Sequence, residues 1–317
     1  NPVITVNSET ICAGGSATLT ASGGTTYSWS PGAGLSATTG ASVTANPTTT
    51  TTYTVTGTTS GCSGTATSTV TIGPNPTVTV TSPTICAGSS ATLTANGATT
   101  YTWSPGAGLS STFGATVTAN PTTTTTYTVT GTISGCTGTA TSIVTVTPLP
   151  VVTVNSETIC AGSPATLTAS GGTSYSWSPP SGLSATSGAT VTANPSTTTT
   201  YTVTGMASGC SNTATSVVTV NPIPVITVNS SMICEGFAAT LTAAGANSYS
   251  WSPPLGLSAT TGATVLANPP VTTTYTVSGT TNGCTGSLTS TVSVNPNPVV
   301  DVNSPTICAG TSTTLTA

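Results

Sequence analysis

No lysine, arginine or histidine occurs among the 317 residues, and each absence removes a class of chemistry. Histidine is the side chain that most often does acid–base work near neutral pH and ligates transition metals, while lysine and arginine hold phosphates. Only four acids remain, Glu9, Glu157, Glu235 and Asp301, and they are scattered singly. Neither a paired-carboxylate site nor an oxygen cage for calcium can be assembled from them within one stretch of chain. The sequence therefore presents no catalytic, cofactor-binding or metal-ligating set, and a hydroxyl such as Ser28 has no base to activate it. A basic stripe for nucleic acid is missing too. The net charge of −4 is too small to steer a charged partner or to hold neighbouring molecules apart. No segment reads as an amphipathic helix or a membrane span.

What is present is repetition. Trp29, Trp103, Trp177 and Trp251 recur at a constant step of 74 residues. Tyr27, Tyr101, Tyr175 and Tyr249 keep that step, as do Tyr53, Tyr127, Tyr201 and Tyr275, and these account for every Trp and Tyr in the chain. Leu19, Leu93, Leu167, Leu241 and Leu315 share the register. The repeats are expected at residues 1–74, 75–148, 149–222 and 223–296, with a partial fifth at 297–317. This register, together with a start on Asn1-Pro2, leads to the expectation of a piece excised or processed from a longer protein.

Inside one repeat the apolar period is two, which predicts strands. In the first copy these are expected at residues 3–6, 17–21, 26–30, 41–45, 52–56 and 65–72. Ala17, Leu19 and Ala21 share one face, as do Tyr27 with Trp29 and Tyr53 with Val55, while Thr and Ser take the alternate positions. Turn signals separate the runs, among them Ser22-Gly23-Gly24, Asn46-Pro47 and Ser60-Gly61. Short strands at this density, with one Trp on a middle strand, predict an all-β, two-sheet sandwich. Its expected core holds the four Trp, Leu19, Leu93, Leu167 and Leu241, and Tyr53, Tyr127, Tyr201 and Tyr275.

So small a core calls for a staple. Cys12 and Cys62 lie 50 residues apart, as do Cys86 and Cys136, Cys160 and Cys210, and Cys234 and Cys284, whereas successive pairs are separated by 24. One bridge within each repeat is the natural reading, with the partner of Cys308 expected at position 358. Pairing across repeats, as Cys62 with Cys86, stays open. Two thiols per repeat without histidine make a poor metal site. Disulfides imply an extracellular protein, at a cell surface or in a secreted fibre. Between repeats lie Pro74-Asn75-Pro76, Pro148-Leu149-Pro150, Pro222-Ile223-Pro224 and Pro296-Asn297-Pro298. Such links are short and pre-extended, which favours a stiff rod in which each repeat contributes roughly 30 to 40 Å.

The run from Thr10 through Cys12 to Ala21, then Tyr27-Ser28-Trp29-Ser30-Pro31, Gly34-Leu35-Ser36, Ala45-Asn46-Pro47, Thr51 to Thr56 and Gly61-Cys62, resembles the Ig-like and PKD-like repeats of giant Bacteroidota surface proteins. The resemblance spans the whole chain. It implies immunoglobulin-like modules, secretion by the type IX system, attachment at the cell surface, and a part in adhesion or gliding motility. It brings no catalytic residues with it.

Three features invite sharper readings. The Tyr27/Trp29 pair is a candidate sugar-stacking platform, although the alternation favours a core role for Trp29. Thr48, Thr49, Thr50, Thr51, Thr122, Thr123, Thr124, Thr125, Ser196, Thr197 and Thr198 are candidate O-glycan acceptors, and Asn229 opens the one N-glycosylation sequon without proline. Finally, sheet edges are usually protected by charge, and here almost none is available, so association with further copies of the chain by edge pairing or strand donation is permitted. The expected function is a structural or adhesive surface array, a stalk or fibril component without catalysis. A self-assembling filament is the alternative, and a module binding surface polysaccharide or a substratum comes third.

Overall fold

The structure, a computed structural model, describes residues 1–316. In the first repeat seven strands form: β1 (Thr5–Val6), β2 (Glu9–Cys12), β3 (Ala17–Ser22), β4 (Thr26–Ser30), β5 (Ser42–Ala45), β6 (Thr51–Thr59) and β7 (Cys62–Gly73). They make two sheets, ordered β1-β3-β5 and β2-β7-β6-β4. All neighbours are antiparallel except β2, which runs parallel to β7. The same seven strands recur between Thr79 and Thr147, Thr153 and Asn221, and Thr227 and Asn295. This is an all-β tandem of immunoglobulin-like sandwiches, with no helix among the described residues. The chain divides into two compact units, Asn1–Leu149 with Ser208–Cys210, and Pro150–Ala207 with Ser211–Ala317. Residues 297–316 carry no strand.

Alternation along the strands builds the core. In β3 the residues Ala17, Leu19 and Ala21 are buried while Thr18, Thr20 and Ser22 are exposed. Leu19, Tyr53, Val55 and Val70 are wholly inaccessible, and Trp29 is 4% exposed. The two large polar-tipped side chains are satisfied inside: Trp29 Nε1 donates to the Gly40 carbonyl and the Tyr53 hydroxyl to the Ala33 carbonyl, each at 2.9 Å. Among the described residues no buried side-chain nitrogen or oxygen lacks a partner.

Seven strands form where alternation predicts six. The expected run 3–6 is ordered only over Thr5–Val6, after which the chain turns at Asn7-Ser8 and joins the other sheet as β2. Nothing in Glu9-Thr10-Ile11-Cys12 alternates in burial, so periodicity has no signal for this strand. The crossing point is pinned from both sides. Asn7 Nδ2 donates to the Thr18 carbonyl and Asn7 Oδ1 accepts from the Thr20 amide, extending β1 along β3 with a side chain in place of backbone. On the other side the Asn7 carbonyl accepts the Ser68 hydroxyl at 2.6 Å. Ser68 and its counterparts Ser142, Ser216 and Ser290 are the buried polar residues of the four repeats.

Two of the four sheet edges, those of β4 and β5, are guarded without charge. Residues of the segment joining β4 to β5 lie along both of those edge strands. The Trp29 amide donates to the Thr38 carbonyl and the Gly40 amide to the Tyr27 carbonyl, closing β4. Likewise Ser36 and Asn46 donate to the carbonyls of Thr44 and Gly34, closing β5. The unprotected edges expected from composition are therefore covered on β4 and β5 by the repeat's own backbone, which satisfies the groups that another chain would need.

Candidate functional site at the repeat junctions

The cysteines do not pair within repeats. Bridges join Cys12 to Cys136, Cys86 to Cys210 and Cys160 to Cys284, each across 124 residues. The expected pairs Cys12–Cys62, Cys86–Cys136, Cys160–Cys210 and Cys234–Cys284 are overturned, and so is the alternative of Cys62 with Cys86. Cys62, Cys234 and Cys308 are free and exposed.

Strand direction explains the correction. Because β2 is parallel to β7, Cys12 sits opposite Gly73, at the end of β7. Cys62 opens the same strand eleven residues earlier, which at the rise of an extended chain is roughly 36 Å away. A disulfide needs Cα atoms within about 7 Å. The two cysteines of one repeat thus mark its opposite poles, and each can reach only the complementary cysteine of a neighbour. Across the three bridges the Cα atoms stand 5.4, 5.6 and 5.5 Å apart. The 50-residue spacing that suggested a staple within the fold is a spacing along the sequence, not in space.

Local backbone delivers the second cysteine of each pair. Between β6 and β7 the two-residue turn Ser60-Gly61 has φ of 50° and 80°, the hairpin geometry that matches strand twist. The cysteine follows this turn directly, at the tip of the hairpin. Where a preceding repeat supplies its partner the residue is buried, with Cys136 1%, Cys210 2% and Cys284 0% exposed. Cys62, in the same place on the first repeat, is exposed. In the second unit the junction is reinforced by Asn221 Nδ2 donating to the Asn282 carbonyl at 3.1 Å.

The other candidate residues are placed as follows. Trp29, Trp103, Trp177 and Trp251 lie in the interior at 3 to 4% exposure, so they form no stacking platform. Tyr27 lies against Gly57 across the β4–β6 pair, and its hydroxyl donates to the Gly24 carbonyl and accepts from the Gly24 amide. Beside it runs a shallow depression lined by Thr26, Tyr27, Thr39 and Gly40, with counterparts beside Tyr101 and Tyr249. The counterpart at Tyr101 includes Phe113, which is 69% exposed.

Among the glycan candidates, Thr50, Thr124 and Thr198 accept the backbone amides of Ile72, Val146 and Val220. Thr51 and Thr125 donate to the carbonyls of Thr49 and Thr123. Thr48, Thr49, Thr122, Thr123, Ser196 and Thr197 are exposed. Asn229 is the fourth repeat's counterpart of Asn7, and its carboxamide bonds Thr240 and Thr242. Glu9 and Glu157 accept from Asn7 and Asn155, helping to hold the same clamp. No three His, Cys, Asp or Glu residues gather into a metal site among the described residues, and no helix there is long and apolar enough to cross a membrane.

Residues 148–222 match the family described as Ig-like domain CHU_C associated. The remaining repeats reproduce this stretch at the 74-residue step. A comparison with curated proteins returned no match. Among solved structures the chain is similar to the eight N-terminal Ig domains of Down Syndrome Cell Adhesion Molecule, at 14% identity and a TM-score of 0.37, covering 93% of this chain and 49% of that one. It thus spans about half the length of that structure. An I-band fragment of titin is similar at 12% identity and a TM-score of 0.39, covering 69% of this chain and 97% of that one. Sidekick-1 immunoglobulin domains 1–5 give 14%, 0.26, 92% and 79% in the same order. These similarities concern the fold alone, and the Ig-like description rests on the strand order given above.

Proposed function

We propose that the chain is a non-catalytic structural or adhesive array that works outside the cytoplasm, a surface stalk of the kind found among the Bacteroidota proteins it resembles. The observation that carries this reading is the bridging of successive repeats by disulfides, each with one buried cysteine, which require an oxidising compartment and join domains without creating a pocket for chemistry. The missing bases and cations of the sequence support it. Type IX secretion, anchoring at the surface and neutral glycans on the exposed Thr48-Thr49 and Thr122-Thr123 pairs belong to the same reading, since a nearly uncharged surface needs another source of solubility.

Antibodies raised against the purified chain test it on the cells that make the protein. Label on intact cells, with attachment to a solid surface lost on deletion of the gene, is the expected result. Label that appears only after permeabilisation, or a turnover that survives repurification, overturns it. Assembly through the edges of β4 and β5 is disfavoured, since both are covered. Carbohydrate binding keeps one foothold, the repeated depression beside Tyr27, Tyr101 and Tyr249. Glycan-array binding that Phe113→Ala removes from a folded protein would favour that second reading.

A further inference from the structure

Because each bridge closes 124 residues, the disulfides create covalent routes through the chain far shorter than the backbone. Starting at Asn1, one route reaches Cys12 after 11 residue steps and crosses to Cys136. It follows 24 steps of chain to Cys160, crosses to Cys284 and runs 33 steps to Ala317. That route is 68 steps long, against 316 along the backbone. A second, interleaved route runs the 24 steps from Cys62 to Cys86, crosses to Cys210 and continues 24 steps to Cys234.

We propose that the first route is a tension-bearing strap, and that the array's mechanical function is to transmit pulling force along it while the remaining strands of the sandwiches stay off the load path. The chain between its two bridges, residues 136–160, consists of the long strand of the second repeat, the Pro148-Leu149-Pro150 link and the first two strands of the third. That long strand is hydrogen-bonded on both sides, over nine residue pairs to the second repeat's counterpart of β6 and over three to its counterpart of β2. Residues 13–135 and 161–283, with Trp29, Trp103, Trp177 and Trp251 among them, lie inside loops closed by the bridges of the first route. A pull on the two ends cannot lengthen the molecule by unravelling them. Intramodular staples would behave differently, leaving 24 residues between successive bridges in every repeat and a route of 116 steps. The inference deepens the structural reading above and rests on the connectivity of the cysteines, not on where the protein resides. A wrong force curve with surface label intact would sink the strap alone.

Single-molecule stretching of the full chain, held by handles ligated at its two termini, measures the route directly. At about 3.5 Å per residue the oxidised chain should stop near 240 Å, and the chain reduced with a phosphine should reach about 1,100 Å. The paired change Cys12→Ser with Cys136→Ser leaves a shortest route of 168 steps and should stop near 590 Å. Cys86→Ser with Cys210→Ser removes a bridge of equal span that lies off the route between the termini, and should leave the limit near 240 Å. An oxidised limit near 410 Å, the value for intramodular staples, or one near that of the reduced chain, overturns the proposal. Should either variant fail to fold, the oxidised and reduced limits of the unaltered chain decide by themselves.

Discussion

Ser216 illustrates how much one hydroxyl carries in so small a core. It is inaccessible to solvent, and it donates to the Asn155 carbonyl at the point where the chain passes from one sheet to the other. Ser216→Ala leaves that carbonyl without its partner and should cost about 1 to 3 kcal/mol, seen as a lower urea midpoint at unchanged slope. Thr215→Ala, on the exposed face of the same strand, should stay within about 0.5 kcal/mol of the parent. The buried tyrosines set the response to alkali. Desolvation raises Tyr53, Tyr127, Tyr201 and Tyr275 above the ordinary value of 10.0, and side-chain hydrogen bonds from Thr51 and Thr125 temper the first two. A group whose folded pKa is raised gives its full contribution below the unfolded value and loses it as pH rises through the folded one. Denaturation midpoints should thus fall as pH climbs above about 10 without a matching loss just below it, and a midpoint that rises there would contradict the assignment.

At the level of elements, hairpin turns and edge segments do what charge does in other β-proteins. Ser134 holds φ of 49° in the turn before Cys136, a conformation that asparagine tolerates better and that Asn282 already occupies in the fourth repeat. Ser134→Asn should therefore stabilise by a few tenths to about 1 kcal/mol, measured by thermal melting, while Gly135→Ala should destabilise. Most of the strands were legible because Ala17-Thr18-Leu19-Thr20-Ala21 and Tyr53-Thr54-Val55 write inside and outside in alternation. β2 was not legible, since an edge strand paired on one side leaves no period in Glu9-Thr10-Ile11-Cys12. The guarding of β4 and β5 was equally hidden. It is made by backbone amides of Ser36 and Gly40 and carbonyls of Gly34 and Thr38, which any sequence possesses, and by a Gly/Ala-rich segment free to follow the edge.

For the whole molecule the decisive relation was the one least visible in the sequence. Equal spacings of 50 and 24 reveal that cysteines belong to a repeating scheme, but the partner of each depends on β2 running parallel to β7, a topological fact. Each observed bridge closes 124 residues, so on chain entropy one bridge alone contributes on the order of 5 kcal/mol, less where interlocked loops share the constraint. The pairing can be counted before it is mapped. Of nine cysteines, six are bridged and Cys62, Cys234 and Cys308 are exposed thiols. Unreduced, undenatured chain should then react with a thiol reagent at three sites, whereas one bridge within each of the four repeats would leave Cys308 as the single reactive thiol. Reduction should raise the count to nine and lower the melting temperature of both units together, because each contains bridges of this kind. A count of one in the native protein would overturn the bridges of Cys12, Cys86 and Cys160 with their neighbours' cysteines; a count of three is the number those bridges require.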